Sequence, residues 1–451
     1  MKKIAFLIIM LINLTSCHLK NNENNSYYLT NVTVIDVSGG NSFPNMTIFI
    51  DDSIISAISL NSEINIPKKA KVIDLSGKYL LPGLWDMHVH LGNATRSSLP
   101  LFVVNGVTGV RDMGTNNFDS IRIWKNLIRS DQITGPHIVS PGPMLNGGHP
   151  DQDYQIGVNS IEEAKRIVDS LAIIGVDFIK LQSGLSRETY FAIAEESNKL
   201  HLPFVGHIPI SNSGVGITGE EASEAGQKSL EHMLGIPFTP DTIKAYQNFY
   251  PTKESLDHLF VVLLKNKTFV TPTLSVYELP AKYKTILPNQ DSLLRYISPE
   301  LRAFWDMQTV NWQERNNSFD NWLLKTRMNM IPFLRDAGIP LLAGTDVGFP
   351  FVLPGFGLHS ELKFLVAAGL SPIEALRTAT INPAIFFGVE DKLGSIEKGK
   401  IADLVIFNYD PTSNIQNIDS IEAVIVNGKL LDHSSLTKEL SWVANYIKNR
   451  K

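Results

Sequence analysis

At 451 residues the chain is too long for one small core, and 43% hydrophobic with 19% charged residues is an ordinary balance for a soluble globular protein. A formal net charge of -5, with both signs interspersed, leaves no basic footprint for nucleic acid and no single-sign disordered tail. The length suits one large barrel with an appended domain.

Lys2 and Lys3 precede an apolar run from Ile4 to Leu14, too short to span a bilayer, which is the layout of a secretory signal. The run ends in Leu14-Thr15-Ser16-Cys17, similar to a bacterial lipobox, and Cys17 is the only cysteine, so it has no disulfide partner. Residues 1–17 therefore read as a lipoprotein signal peptide with Cys17 as the lipidation site. An ordinary signal peptide with an incidental cysteine is the plainer alternative. The first reading predicts an exported bacterial lipoprotein, anchored in a membrane through Cys17 and facing the periplasm. Polar residues 18–27 read as a flexible tether. No other segment is long and apolar enough to span a membrane.

From 28 to 80 the pattern is short and β-like, with Val32, Val34, Val37, Ile48, Ile50, Ile54, Ile55 and Ile58 set between Gly, Asn and Asp turns. The same texture returns within 393–434, in Ala402–Phe407 and Val424–Gly428. The two ends together predict one small, discontinuous β-sandwich, followed by a C-terminal helix over 435–451. Between them, residues 81–392 alternate strand-like runs with amphipathic helical stretches such as Ile161–Ile174 and Ser186–Leu200. The strands are Gly83–His90, Gly106–Asp112, His137–Pro141, Val176–Gln182, Pro203–His207, Ser229–His232, Thr268–Leu274 and Ile339–Asp346. Eight strands with helical crossovers predict an α/β fold, a (β/α)8 TIM barrel. About 65 residues separate Leu274 from Ile339, against roughly 30 for a simple βαβ unit. The excess, rich in aromatic residues such as Tyr283, Trp305 and Trp312, predicts a helical insertion at about 275–330 above the barrel mouth.

The candidate chemistry gathers at strand ends. His88 and His90 are two apart on one strand, so both side chains project to the same face. Alone they are a weak signal, and two satisfied histidines on a half-buried strand is the plainer reading. His207, His232 and Asp346 close three other strands, at the end where barrels of this kind place their catalytic groups. Four imidazoles and a carboxylate converging there suit zinc or another borderline divalent ion. Lys180 puts an ammonium on an apolar strand, which is costly unless it is paired or neutralised. It reads either as a salt bridge to Asp346 or another carboxylate, or as a neutral amine that adds carbon dioxide to give a metal-bridging carbamate.

The ordered motifs are Leu-Pro-Gly-Leu-Trp-Asp-Met-His-Val-His (81–90), Gly-Val-Thr-Gly-Val-Arg-Asp-Met-Gly (106–114), Asp-Phe-Ile-Lys (177–180) and Leu-Glu-His (230–232). They continue in Pro-Thr-Leu (272–274), Gly-Thr-Asp (344–346), Ala-Thr-Ile-Asn-Pro-Ala (379–384) and Leu-Gly-Ser-Ile-Glu-Lys-Gly-Lys-Ile-Ala-Asp-Leu-Val (393–405). In these the chain resembles the amidohydrolase superfamily, specifically its imidazolonepropionase-like and prolidase-like members. The resemblance implies a binuclear centre of two divalent ions, zinc by preference, held by His88, His90, carboxylated Lys180, His207, His232 and Asp346. It also implies that His149, in Asn146-Gly147-Gly148-His149, meets a substrate oxygen as a catalytic and substrate-binding residue, a solvent-facing loop histidine being the plainer alternative. One departure stands out: prolidase-like members carry a tyrosine two positions after the strand-five histidine, where this chain has Pro209. Dipeptidase activity is therefore in question even with the metal centre intact.

Arg111 closes strand two and reads as a substrate contact or as half of an internal ion pair bracing the mouth. His359 is a second substrate-contact candidate, with Glu361 beside it a weaker one. The expected chemistry is attack by a metal-bridging hydroxide on the C–N bond of a small N-acyl, dipeptide-like or cyclic amide substrate, with Asp346 as general base and then acid. Ester, lactone or organophosphate hydrolysis on the same centre is the alternative, and a non-catalytic lipid-anchored binding protein is a third reading. The expected partners are a small-molecule substrate and a membrane, with no nucleic acid and with homo-oligomerisation left open.

Overall fold

The computed structural model describes residues 26–450 apart from 151–152, 210–215, 237–252, 291, 313 and 315–316. The expected signal peptide with Cys17, and nearly all of the expected tether, lie outside the described residues. Among the described residues no helix is long and apolar enough to cross a membrane.

The N-terminal segment forms β1 (Tyr27–Ile35), β2 (Ser42–Asp51), β3 (Ile54–Leu60), β4 (Lys71–Asp74) and β5 (Tyr79–Pro82). Along β1 the residues that join one apolar cluster are Tyr27 and Leu29, then Val32 and Val34. The break in alternation has a local cause. Asn31 takes a left-handed conformation at φ +60°, and the register against β2 shifts between Leu29 and Val32, so one extra residue restores the apolar set to one face.

The middle of the chain supplies β6 (Leu84–Val89), β7 (Val107–Asp112), β8 (His137–Val139), β9 (Met144–Gly147), β10 (Gln155–Val158), β11 (Ile179–Leu181), β12 (Phe204–Gly206), β13 (Ser229–Glu231) and β14 (Phe269–Thr271). All pair in parallel, in two sheets ordered β6-β7-β8 and β10-β9-β11-β12-β13-β14. Helices lie between successive strands except from β8 through β10, as in a TIM-barrel-like α/β fold. Helix Ile161–Ile174 falls where its apolar spacing predicts. Ser160 caps its start by accepting from the Glu163 N–H, and Gly175 closes it in a left-handed turn at φ +79°.

The eighth expected strand is a correction. Ile339–Asp346 forms no continuous strand and instead touches its neighbours through single bridges, Leu341 to Val270 and Val347 to Val89. Its backbone nevertheless links the two parallel sheets. Leu342 N–H donates to the Val270 carbonyl at 2.9 Å, and Met87 N–H donates to the Ala343 carbonyl at 2.8 Å. On the other side Asp177 N–H donates to the Ser140 carbonyl at 2.9 Å, between β8 and β11. Strands β9 and β10 were not expected; they order the stretch after β8 that the sequence reads as loop.

The C-terminal strands are β15 (Leu404–Phe407), β16 (Ile421–Val426) and β17 (Lys429–Leu431). They meet the N-terminal strands in one eight-stranded sheet, ordered β17-β16-β15-β5-β1-β2-β3, with β4 on β1. Leu404, Ile406 and Ile425 share an apolar cluster with Leu29, Ile48 and Ile50. The two chain ends are therefore joined through a common core. A final helix runs His433–Lys448.

The insertion is helical where described, with helices Leu274–Gln290, Pro299–Thr309 and Ser318–Asp336. Its aromatic residues pack on the loop after Asp346. Trp305 is fully buried against Phe351 and donates its indole N–H to the Gly348 carbonyl at 3.3 Å, and Trp312 lies against Phe349. The insertion therefore stands over the strand ends that carry the candidate ligands.

Candidate metal centre and active site

His88 and His90 leave β6 on the same side, and Asp346 is brought to them by the irregular eighth segment. Three features hold that segment against β6. Asp346 N–H donates to the His88 carbonyl and His90 N–H to the Val347 carbonyl, both at 2.7 Å. Buried Asp86 accepts from the His88 N–H, the Thr345 N–H and the Thr345 hydroxyl, at 3.2, 3.1 and 2.7 Å. Gly344 lacks a Cβ that would sit 2.8 Å from the His88 Cβ and 2.6 Å from Thr271 Cγ2. As a result one Asp346 oxygen lies 3.0 Å from His90 Nε2 and 3.4 Å from His88 Nε2. His88, His90 and Asp346 each offer one donor atom within 4.8 Å of the others, a cluster that could hold a metal ion.

The other three expected ligands border the same space. His232 packs its ring 4.6 Å from His88 and 4.9 Å from His207. Gly206, just before His207, is the residue that lets Lys180 in, because a Cβ there would meet Lys180 Cδ at 3.0 Å and the Leu181 carbonyl oxygen at 2.4 Å. A cleft of about 160 Å³ is lined by His90, Lys180, His207, His232 and Asp346, with Met144, Tyr154, Gln182, Phe304, Gln308 and Phe349 as its remaining walls. Larger cavities of about 310 and 400 Å³ lie elsewhere, but none of their lining residues is a candidate ligand.

The ring nitrogens are set up for ligation. His88 Nδ1 lies 2.8 Å from a Glu231 oxygen, so that nitrogen carries the proton. His232 Nδ1 lies 2.6 Å from the Thr273 hydroxyl, which itself donates to the Pro272 carbonyl and must accept from the imidazole. His207 Nδ1 lies 2.9 Å from the Ser183 hydroxyl. In His88 and His232 the Nε2 lone pair is thereby left free for a cation. His88 Nε2 is buried without a hydrogen-bond partner, an orphan that a metal ion would satisfy.

The electrostatics agree with that fit. Burial, reinforced by the Lys180 charge, pushes the His88 and His207 imidazoles well below their ordinary value. Burial brings His232 down to about 4. All three are neutral near pH 7, the form that ligates. Burial pulls Lys180 down to about 8, against the charges of Glu231 and Asp346, and among the described residues it makes no ion pair. The expected alternative of a salt bridge to Asp346 is therefore not what the structure holds. Burial would raise Asp346, but the surrounding histidines outweigh it and keep the carboxylate ionised. His232 and Asp346 also sit at φ +58° and +63°, a conformation that costs non-glycine residues about 1–3 kcal/mol and concentrates at functional positions.

Two expected substrate contacts are corrected. Arg111 is fully buried beneath the ligands and turns its hydrogen bonds inward. It donates to the Met87 carbonyl, the Ser229 hydroxyl, the Thr271 hydroxyl and both oxygens of Glu231, and its guanidinium lies over Phe386. It is the internal ion pair, and through Glu231 it braces His88. His359, on helix Phe356–Ala367, faces away from the cleft. Its two ring nitrogens lie 3.0 Å from Asp419 and 2.8 Å from the Asn105 carbonyl, tying this helix to the end of helix Leu99–Val104 and to the C-terminal segment. Glu361 is likewise structural, accepting from the Leu274 and Ser275 N–H groups and the Ser275 hydroxyl at the start of an insertion helix. His149 is exposed on its loop and is not among the residues lining the cleft. Tyr154, further along the same stretch, lines it instead. Sequence reasoning gave no role to Tyr154, Asp86, Glu231 or Thr273, although Glu231 sits inside the Leu-Glu-His motif.

A TIM-barrel-like fold with histidine, lysine and aspartate side chains converging at its strand ends defines a hydrolase class. A profile of the amidohydrolase family matches residues 79–431, and the chain belongs to that family, enzymes that hydrolyse carbon–nitrogen bonds. Among characterised proteins it is 24% identical to the imidazolonepropionase of Geobacillus kaustophilus over 435 residues, covering 86% of this chain and 90% of that one. It is also 24% identical to the ochratoxinase of Aspergillus niger over 452 residues, covering 85% and 82%. Among solved structures, a bottromycin amidohydrolase superposes with a TM-score of 0.74 at 23% identity, over 94% of this chain and 91% of that one.

Proposed function

We propose that the protein is a binuclear metal-dependent amidohydrolase acting on a small N-acyl, dipeptide-like or cyclic amide. The observation that carries this reading is the meeting of His90, Lys180, His207, His232 and Asp346 in one cleft, with His88 directly behind them. The imidazolonepropionase and ochratoxinase likenesses support a C–N bond as the target.

His88, His90 and Asp346 would hold one ion, and His207 and His232 the other. Lys180, whose amine burial makes easier to deprotonate, would in its neutral form be carboxylated by carbon dioxide and shared between the two. The ions, zinc by preference, would supply Lewis acidity and an acidified water when bound. The protein's own part follows from its geometry. Asp346, ionised and beside that position, takes the proton of the attacking water and returns it to the departing nitrogen. Glu231 and Thr273 hold His88 and His232 in the ligating tautomer. The insertion covers the cleft with Phe304 and Gln308, limiting solvent and shaping the substrate site.

We also read the parallel strands as a closed (β/α)8 barrel, and the eight-stranded sheet as a discontinuous β-sandwich domain. Residues 1–17 are proposed as a signal peptide with Cys17 lipidated; a Cys17→Ala variant would then move from the membrane to the soluble fraction, and unchanged fractionation would refute the anchor.

The test is a panel of small amides, each paired with its matching ester, offered to protein loaded with zinc and bicarbonate. Turnover of an amide and its loss on chelation is the expected result. Turnover confined to esters would replace the amide reading with ester or lactone hydrolysis, and none on any pair would remove it.

A further inference from the structure

The cleft contains a hydrogen-bond donor that the ligand set does not use. Tyr154 immediately precedes β10, which runs in register along β9, with Gln155 opposite Met144 and Val158 opposite Gly147. The Tyr154 carbonyl accepts from the Met144 N–H at 2.9 Å, and Asn146 Nδ2 donates to the Gln155 side chain at 2.7 Å. The residue is thus fixed to a paired strand rather than to a free loop. Its side chain borders both the ligand cleft and an adjoining chamber of about 230 Å³, and His90 is the other residue common to the two. It therefore stands at the junction through which a substrate wider than the cleft itself would pass.

Its hydroxyl has no hydrogen-bond partner among the described residues. Half-burial and the nearby charges of Asp346 and Asp153 raise its pKa, so the phenol is protonated at neutral pH. The alternatives are less suited. The Gln182 carboxamide is engaged on both sides, accepting from the Ser183 N–H at 3.1 Å and facing Met144 Sδ at 4.0 Å. His149 is exposed. A preorganised donor matters most where negative charge develops, and a phenol is more acidic than an amide N–H, so its hydrogen bond strengthens more as that charge grows.

We propose that Tyr154 is a catalytic residue whose phenolic O–H donates a hydrogen bond to the scissile carbonyl oxygen and to the oxyanion it becomes. The proton stays on the phenol, and no bond to Tyr154 forms or breaks. This inference rests on the amidohydrolase reading of the same cleft, and its test separates the two.

The variant is Tyr154→Phe, which removes one oxygen and keeps the ring. Two readouts are taken on zinc- and bicarbonate-loaded protein: steady-state kinetics on the amide the parent hydrolyses, and affinity for inorganic phosphate, a tetrahedral oxyanion. The inference predicts a fall in kcat of about 10²-fold and phosphate binding weakened by roughly tenfold, with metal content and melting temperature unchanged. A kcat and a phosphate affinity both within about threefold of the parent would overturn it. If the parent hydrolyses no amide, the amidohydrolase reading fails by itself, and phosphate affinity alone then decides for or against the donor. Loaded parent protein that binds no phosphate would count against Tyr154 as an oxyanion donor.

Discussion

An Asp346→Asn variant is expected to lose about three orders of magnitude or more in kcat on any amide the parent hydrolyses, while folding stability changes by less than ~1 kcal/mol. Asparagine has nearly the same shape, and its oxygen can still face His90 Nε2 and His88 Nε2 where the aspartate oxygen lies at 3.0 and 3.4 Å. What disappears is the carboxylate proposed to take a proton from an attacking water. An amide cannot depart as an anion, so the missing proton return is felt in the chemical step rather than in binding. Steady-state kinetics beside metal analysis separates the effects: kcat collapses while metal content stays close to the parent's. Equal losses of metal and activity would instead make Asp346 a ligand alone.

The second large effect belongs to stability. Arg111→Met leaves Glu231 fully buried with its main counter-charge gone, a kind of change that costs about 3–5 kcal/mol. Glu231 would keep only the Ser229 hydroxyl and His88 Nδ1. The loss should reach the metal site, because the carboxylate that orients His88 is no longer tied through the guanidinium to the Met87 carbonyl and the Thr271 hydroxyl. Denaturant unfolding should show a lower midpoint with an unchanged slope, and metal affinity should fall about 10–100-fold. Adding Glu231→Gln to Arg111→Met is expected to recover part of the stability but not the metal affinity, since the amide no longer matches a protonated His88 Nδ1 as a carboxylate does. Normal stability in Arg111→Met would mean that the guanidinium is not needed to compensate Glu231.

The six ligand candidates were legible because each is local to a strand end. His88 and His90 share a face through the period of two, and His207, His232 and Asp346 each close an apolar run. Lys180 shows itself as an ammonium set between the apolar Phe178-Ile179 pair and Leu181. The supporting contacts were not legible, because each joins residues far apart in the chain. Arg111 meets Glu231 across 120 residues and His359 meets Asp419 across 60. Neither partner is marked in local pattern: His359 reads as facing substrate, and Arg111 reads as either a substrate contact or half of an ion pair whose other half the sequence does not name. Pairing of chain ends is a different matter. The returning β texture at Ala402–Phe407 announces that the ends meet, and they do so on β5 and β15, where Leu404 lies opposite Pro82 and Phe407 opposite Tyr79. The eighth strand misled because its apolar run, Ile339 to Ala343, is buried among two neighbouring strands without forming a continuous ladder with either. Tyr154 was hidden by a short, polar stretch that gives no strand signal until β9 is present to pair with β10.

The most direct test of the two-ion centre is the metal content per chain of purified protein beside a Lys180→Ala variant, both supplied with zinc and bicarbonate. The account predicts about two ions in the parent, with a clear fall in the variant as the bridging ligand is lost. No ion in the parent, or the same content in both proteins, would contradict it.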